Sequence, residues 1–95
     1  MLFVVHAMDK KNALPTRAKF WRAHRIHLDE APRHGVAVVT AGPLVDDDGE
    51  TPIGSLFIVE AGDRAAVDAF TRSDPYSVNG VWAAVEIHAY NKKRG

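Results

Sequence analysis

At 95 residues the chain is long enough for one domain with a single core, spanning residues 1–95, and small enough to gain from burying further surface against a second copy. Twelve basic residues balance twelve acidic ones, which removes the electrostatic case for nucleic acid or an anionic membrane surface as partner. The chain has no cysteine, which excludes a disulfide scaffold and a thiolate zinc site and fits a reducing cytoplasm. The apolar run over residues 2–5 is far too short for a membrane span, and nothing near the start resembles a signal peptide, so a cytoplasmic, unprocessed protein is expected.

In chain order, Leu2-Phe3-Val4-Val5-His6-Ala7 is apolar on both faces, the pattern of a central strand rather than an edge. Polar residues 9–12 end it. Pro15 suits the front of a helix, and Thr16 is available to cap the segment that follows. From Arg17 onward, Phe20, Trp21, His24, Leu28 and Ala31 fall within one arc of roughly 100°, the width of a core-facing stripe. His24 lies near its middle, on the face the helix should bury. Pro32 and then Gly35 close this helix, with His34 in its last turn.

Residues 36–41 read as a second strand that Gly42-Pro43 stops. Residues 44–52, with Asp46-Asp47-Asp48-Gly49, read as a solvated hairpin loop. A third strand covers residues 54–61, and Asp63 caps a second helix that runs to Arg72. At Ser73-Asp74-Pro75-Tyr76 the chain turns. Pro75 biases Asp74 away from helical dihedrals, so the helix ends there and the aspartate projects from a fixed corner. Val81, Ala83, Val85 and Ile87 then alternate as a last strand, followed by a loose basic tail.

The order β-α-β-β-α-β packs most simply as a ferredoxin-like α+β domain, a four-stranded antiparallel sheet with two helices on one face. Its two central strands are expected to be parallel and joined by right-handed crossovers. The opposite face keeps apolar side chains from strands one, two and four, so a homodimer closed through the sheet is expected.

With these elements placed, the chain resembles the YCII-related (YciI-like) family of the dimeric α+β barrel superfamily. The resemblance rests on Met1-Leu2-Phe3-Val4-Val5, His24 with Leu28, Thr40-Ala41-Gly42-Pro43-Leu44, the run from Gly54 to Glu60, and Ser73-Asp74-Pro75-Tyr76 with Gly80-Val81. It covers nearly the whole chain through order and spacing rather than through one strong motif. The resemblance implies a ferredoxin-like protomer, a dimer closed through its sheets, and an active site whose histidine and aspartate correspond to His24 and Asp74. It further implies chemistry without metal or flavin, with dehydrochlorination and isomerisation among the superfamily's reactions.

Each residue also has a plainer reading. His24 can be a packed core histidine with one satisfied hydrogen bond, or a general acid or base whose ring burial and a carboxylate pull in opposite directions. Asp74 can simply cap backbone N–H groups at its turn, or can orient the His24 ring as an aspartate does in a catalytic triad. Ser73 and Tyr76 flank that carboxylate as substrate hydrogen-bond donors or as packing. Trp21 and Phe20 read as core, with Trp21 able to wall a pocket, and Gly42 and Pro43 either admit a ligand close to the backbone or merely end a strand.

Five histidines raise the question of a metal, but His24 and His27 at i, i+3 lack a third ligand at a recognisable spacing. The acidic run 46–48 lacks the alternate-position spacing of a calcium loop. No metal or cofactor is therefore expected. Three readings compete: a cofactor-free enzyme that moves a proton on a small, aromatic or carbonyl-containing molecule, by isomerisation or elimination; a non-catalytic metabolite-binding or regulatory dimer; and a purely structural assembly protein, in which the His24 site would be dry and fully packed. The discriminating observation is a solvent-reachable cavity that opens between His24 and Asp74.

Overall fold

The computed structural model describes residues 1–95. Its strands are β1 (Leu2–Asp9), β2 (Val36–Val45), β3 (Pro52–Ala61) and β4 (Trp82–Tyr90), and its helices α1 (Leu14–Asp29), α2 (Arg64–Arg72) and α3 (Pro75–Val78), with a 3-10 turn at Ala31–His34. The strands form one sheet in the order β2-β3-β1-β4, with every pairing antiparallel. This is the ferredoxin-like α+β arrangement.

One expectation about the sheet is overturned. The central pair, β1 and β3, runs antiparallel, with Val5 opposite Phe57. The reason is topological: β3 lies between β1 and β2, and β1 between β3 and β4. Each helical crossover therefore joins strands that run the same way without being neighbours.

The covered face is built from alternate residues of the two central strands. Phe3, Val5 and Ala7 of β1 meet Phe57 and Val59 of β3, and Val67 and Phe70 of α2 close over them, all at most 3% exposed. On the opposite face Leu2, Val4, Met8, Leu56, Ile58 and Leu44 are half-buried. The outward residues of β4 (Ala84, Glu86 and His88) are exposed, so the apolar strip runs along β1 and β3 with a contribution from β2, not from β4.

Helix α1 starts at Leu14, before the expected point, with Ala13 at the cap position and no side-chain cap. Thr16 is thus inside the first turn rather than ahead of it. At the other end α1 stops at Asp29, and the 3-10 turn is closed by Gly35 at φ 72°, a left-handed position that glycine adopts without strain. Strand β2 does not stop at Gly42-Pro43 but continues to Val45. It is an edge strand, where a proline's missing N–H can face solvent without breaking a ladder bond. The acidic loop is a tight, hydrogen-bonded turn. Asp48 accepts from Thr51 and from the Glu50 N–H, and these bonds to Thr51 first, then to Glu50, hold its carboxyl below the usual range.

Two irregularities near the end of the chain place the site. Pro75 opens a further short helix, α3, instead of leading straight into the last strand. In β4, Ala84 pairs with Met8 and Trp82 with Asp9, which leaves Ala83 as a bulged residue. The bulge turns Trp82 onto the covered face alongside Ile87, although the two are five positions apart. The indole is 6% exposed.

Candidate functional site

Helix α1 carries Arg17, Trp21, His24 and Leu28 at successive turns along one side. His24 is directed at the corner where α2 gives way to α3. There Asp74 takes φ −60° and ψ 132°, the extended geometry required of a residue before proline, and serves as the N-cap of α3. Its Oδ1 accepts the Tyr76 N–H at 2.8 Å. Nδ1 of His24 lies 2.9 Å from both Oδ1 and Oδ2 of the same carboxylate. One fully buried carboxylate thus both caps a helix and contacts the ring.

An ionised carboxylate only accepts, so Nδ1 carries the proton and donates it. The imidazole is fixed on its faces as well as its edge. The Tyr76 ring stacks on it at 4.0 Å and 7°, Phe57 lies at 5.8 Å, and Trp82 stands edge-on at 6.4 Å. Nε2 makes no hydrogen bond within the chain. The Tyr76 hydroxyl is the sole sealed side-chain N or O atom without a partner, so Nε2 retains contact with the space outside.

A second buried pair lies two turns back along α1. Arg17 donates from Nε to Asp9 Oδ2 at 2.9 Å and from Nη2 to Asp9 Oδ1 at 3.2 Å. Nη2 also donates to the Gly54 carbonyl at 2.7 Å and to Ser55 Oγ at 2.8 Å. Trp82 Nε1 donates to Ser55 Oγ at 3.3 Å, tying β4 into the same network. Gly54 has no room for a side chain: a Cβ there would lie 2.3 Å from the Ala7 carbonyl oxygen. The guanidinium sits 4.8 Å from the centre of the Tyr76 ring, so Tyr76 contacts both His24 and Arg17.

These groups open onto a cavity of about 600 Å³ between α1 and the ends of β2 and β3. Of the residues singled out in the sequence, Trp21, His24, Gly42, Pro43 and Tyr76 line it, whereas Asp74 is sealed behind the His24 ring in direct contact with it, so the cavity opens beside the histidine and not between the two side chains as expected. Trp21 is not core, being half exposed with the Arg25 guanidinium 4.9 Å from its ring centre. Ser73 is not part of the cavity, because its hydroxyl is turned back onto the Ala69 and Phe70 carbonyls of α2. His27 is directed away from His24, with Nε2 2.7 Å from the Phe70 carbonyl oxygen, and no three His, Asp or Glu side chains converge as a metal-binding group.

Arg17, Ser55 and Trp82 were not anticipated. A signal for Arg17 exists in its position seven residues before His24, on the same helical face. The Trp82 contact depends on the β4 bulge, which no periodicity announces. Tyr76 is fully buried, and its hydroxyl has no partner at normal hydrogen-bond distance, the adjacent Arg17 guanidinium being the group placed to donate to it. Burial pushes that hydroxyl's pKa up, with the Arg17 charge and its donor groups opposing and the Asp74 and Asp9 charges reinforcing the shift.

Comparison with known proteins now decides the family. The YCII-related domain profile matches residues 1–91. The chain belongs to the YCII-related family. Protein YciI of Escherichia coli O6:H1 is 32% identical over 97 residues, covering 97% of this chain and 98% of that protein, and YciI of Shigella flexneri matches equally well. Among solved structures, this YCII-related fold is similar to 5-chloro-2-hydroxyhydroquinone dehydrochlorinase TftG from Burkholderia phenoliruptrix. The TM-score is 0.83 at 26% identity, over 96% of this chain and 94% of that one. TftG was solved in complex with 2,5-dihydroxybenzoquinone. An antibiotic biosynthesis monooxygenase shares the fold alone, at TM-score 0.53 and 19% identity, over 97% of this chain and all of the other.

Proposed function

We propose that this YCII-related protein is a cofactor-independent enzyme that moves a proton on a small, oxygenated aromatic molecule, by elimination or isomerisation. The observation that carries this reading is the hydrogen-bonded pair at 2.9 Å: Asp74 occupies Nδ1 of His24 and leaves the basic Nε2 free beside a cavity of about 600 Å³. Nε2 takes a proton from a substrate C–H or O–H, and Asp74 stabilises the imidazolium that forms. In an elimination the electron pair of the broken bond becomes the new π bond, and chloride departs with its own bonding pair. In an isomerisation the same proton returns to a different atom. The likeness to TftG supports the elimination branch, with a chlorinated hydroxyhydroquinone as substrate and 2,5-dihydroxybenzoquinone as ligand.

The direct test is chloride release from 5-chloro-2-hydroxyhydroquinone, followed in the wild type and in His24→Gln. Glutamine can still donate to Asp74 but cannot accept and return a proton, so the rate should fall by about 10²- to 10⁴-fold with the fold intact. A His24→Gln protein as fast as the wild type would refute the mechanism. Binding of 2,5-dihydroxybenzoquinone with no turnover of any chlorinated or isomerisable phenol would favour the metabolite-binding reading instead.

We also propose that the protein works as a homodimer, in the cytoplasm. The half-buried strip of Leu2, Val4, Met8, Leu44, Leu56 and Ile58 on the open sheet face supports the dimer, since a second sheet laid on it would bury that surface. A chain free of cysteine suits a reducing compartment. Light scattering should give twice the protomer mass of 10.4 kDa at micromolar concentration; a protomer mass there would remove the dimer.

A further inference from the structure

The cavity beside His24 has an electrostatic bias that the proton-transfer reading does not use. Its thirteen lining residues include Arg17, Arg25 and His24 and no aspartate or glutamate. Both nearby carboxylates are turned inward and occupied, Asp9 by Arg17 and Asp74 by His24 and the Tyr76 N–H. Arg17 has donors to spare. Nε and Nη2 make all of its hydrogen bonds, and Nη1 makes none. Nη1 is also not sealed from solvent, because the Tyr76 hydroxyl is the one sealed unpartnered atom. The guanidinium therefore presents a fixed charge and two unused N–H groups on the cavity side, held rigidly by its other bonds. The Tyr76 ring touches both Arg17 and His24, while its hydroxyl is sealed away from the cavity.

We propose that the cavity takes a planar organic anion, an aromatic carboxylate or phenolate, whose charged oxygen is held by Arg17 Nη1 while its reacting atom faces His24 Nε2. This names the substrate class and so rests on the proposed function for the role of His24, but the anion site itself needs only Arg17. A permanent, planar donor suits an oxyanion on a ring, since guanidinium N–H groups are fixed in one plane and cannot be lost to deprotonation. Much of the remaining wall, including Leu14, Trp21, Leu28 and Pro43, is apolar and fits the hydrocarbon body of such a ligand rather than a bare inorganic anion, with Arg25 and Ser55 as its polar members.

The test compares benzoate with benzamide, which has nearly the same shape and no charge, by NMR titration of the intact protein. Benzoate should bind at least tenfold more tightly and should shift the side-chain N–H signals of Arg17, whereas benzamide should not. Equal binding of the two probes, or no binding of benzoate, overturns the proposal, and so does a preference that leaves the Arg17 signals unmoved. His24→Gln separates the two claims. If it keeps the benzoate preference while turnover is never found in the wild type, the anion site stands and the catalytic reading falls. If turnover depends on His24 but benzoate and benzamide bind alike, the anion site falls alone.

Discussion

Two buried acid–base pairs face the same cavity, and they differ in what they are free to do. Arg17 and Asp9 are joined by two bonds, and Arg17 spends another two on the Gly54 carbonyl and Ser55. That guanidinium cannot give up its proton near neutral pH, so the pair is a fixed charge that ties α1 to the ends of β1 and β3. His24 and Asp74 share a single ring nitrogen, and the ring's other nitrogen is unspent. The committed pair is therefore an anchor, the pair with the open nitrogen is the proposed proton carrier, and one tyrosine ring spans the distance between them.

The comparison is broken most severely by cutting the anchor. Arg17→Gln would leave the Asp9 carboxylate, only 6% exposed as a side chain, without its counter-charge. The expected loss is about 3–5 kcal/mol of unfolding free energy, read from urea denaturation. Replacing both partners, Arg17→Met with Asp9→Leu, should restore most of it, because the penalty lies in the orphaned charge rather than in the absence of the pair. A loss under about 1 kcal/mol for Arg17→Gln would mean that the pair is relaxed by water and anchors nothing.

How much of this was legible in the sequence follows the same division. The titratable pair was, because each member sits where a strong local signal acts. His24 is centred on an apolar stripe of α1, and Asp74 is pinned by the proline that follows it. The anchor was not. Arg17 reads as the polar start of a helix, and its partner Asp9 as the polar end of a strand; only the antiparallel packing of β1 beside β3 puts Asp9, Gly54 and Ser55 around one guanidinium. The expectation of parallel central strands would have put those strand ends apart. Trp82 was hidden for a different reason: a bulge at Ala83 shifts the alternation, so Ala83, expected on the inner face with the buried Val81 and Ile87, is exposed and Trp82 is buried in its place. Strand β2 was cut short at Gly42-Pro43 because an edge position, which tolerates proline, is a property of the sheet and not of the residues.

A smaller and sharper intervention tests the proton carrier without disturbing the anchor. In Asp74→Asn the side-chain oxygen should remain on the Tyr76 N–H, which it meets at 2.8 Å as Oδ1, so the cap of α3 survives. The amide nitrogen then takes the place of Oδ2, 2.9 Å from His24 Nδ1. An amide NH₂ beside Nδ1 is satisfied only if Nδ1 accepts, whereas the oxygen, also 2.9 Å from Nδ1, already holds the Tyr76 N–H; the ring's proton is therefore expected on Nε2. The nitrogen facing the cavity becomes a donor where the proposed mechanism needs an acceptor. Stability should change by no more than about 1–2 kcal/mol, since one charge-assisted bond is exchanged for a neutral one. Turnover should fall by about 10²- to 10⁴-fold, for want of the right tautomer rather than for want of a fold. The measurement that distinguishes this from simple damage is the ¹⁵N spectrum of His24, which should show the proton on Nδ1 in the wild type and on Nε2 in the variant. An unchanged tautomer with unchanged turnover would reduce Asp74 to a helix cap that happens to lie beside a histidine.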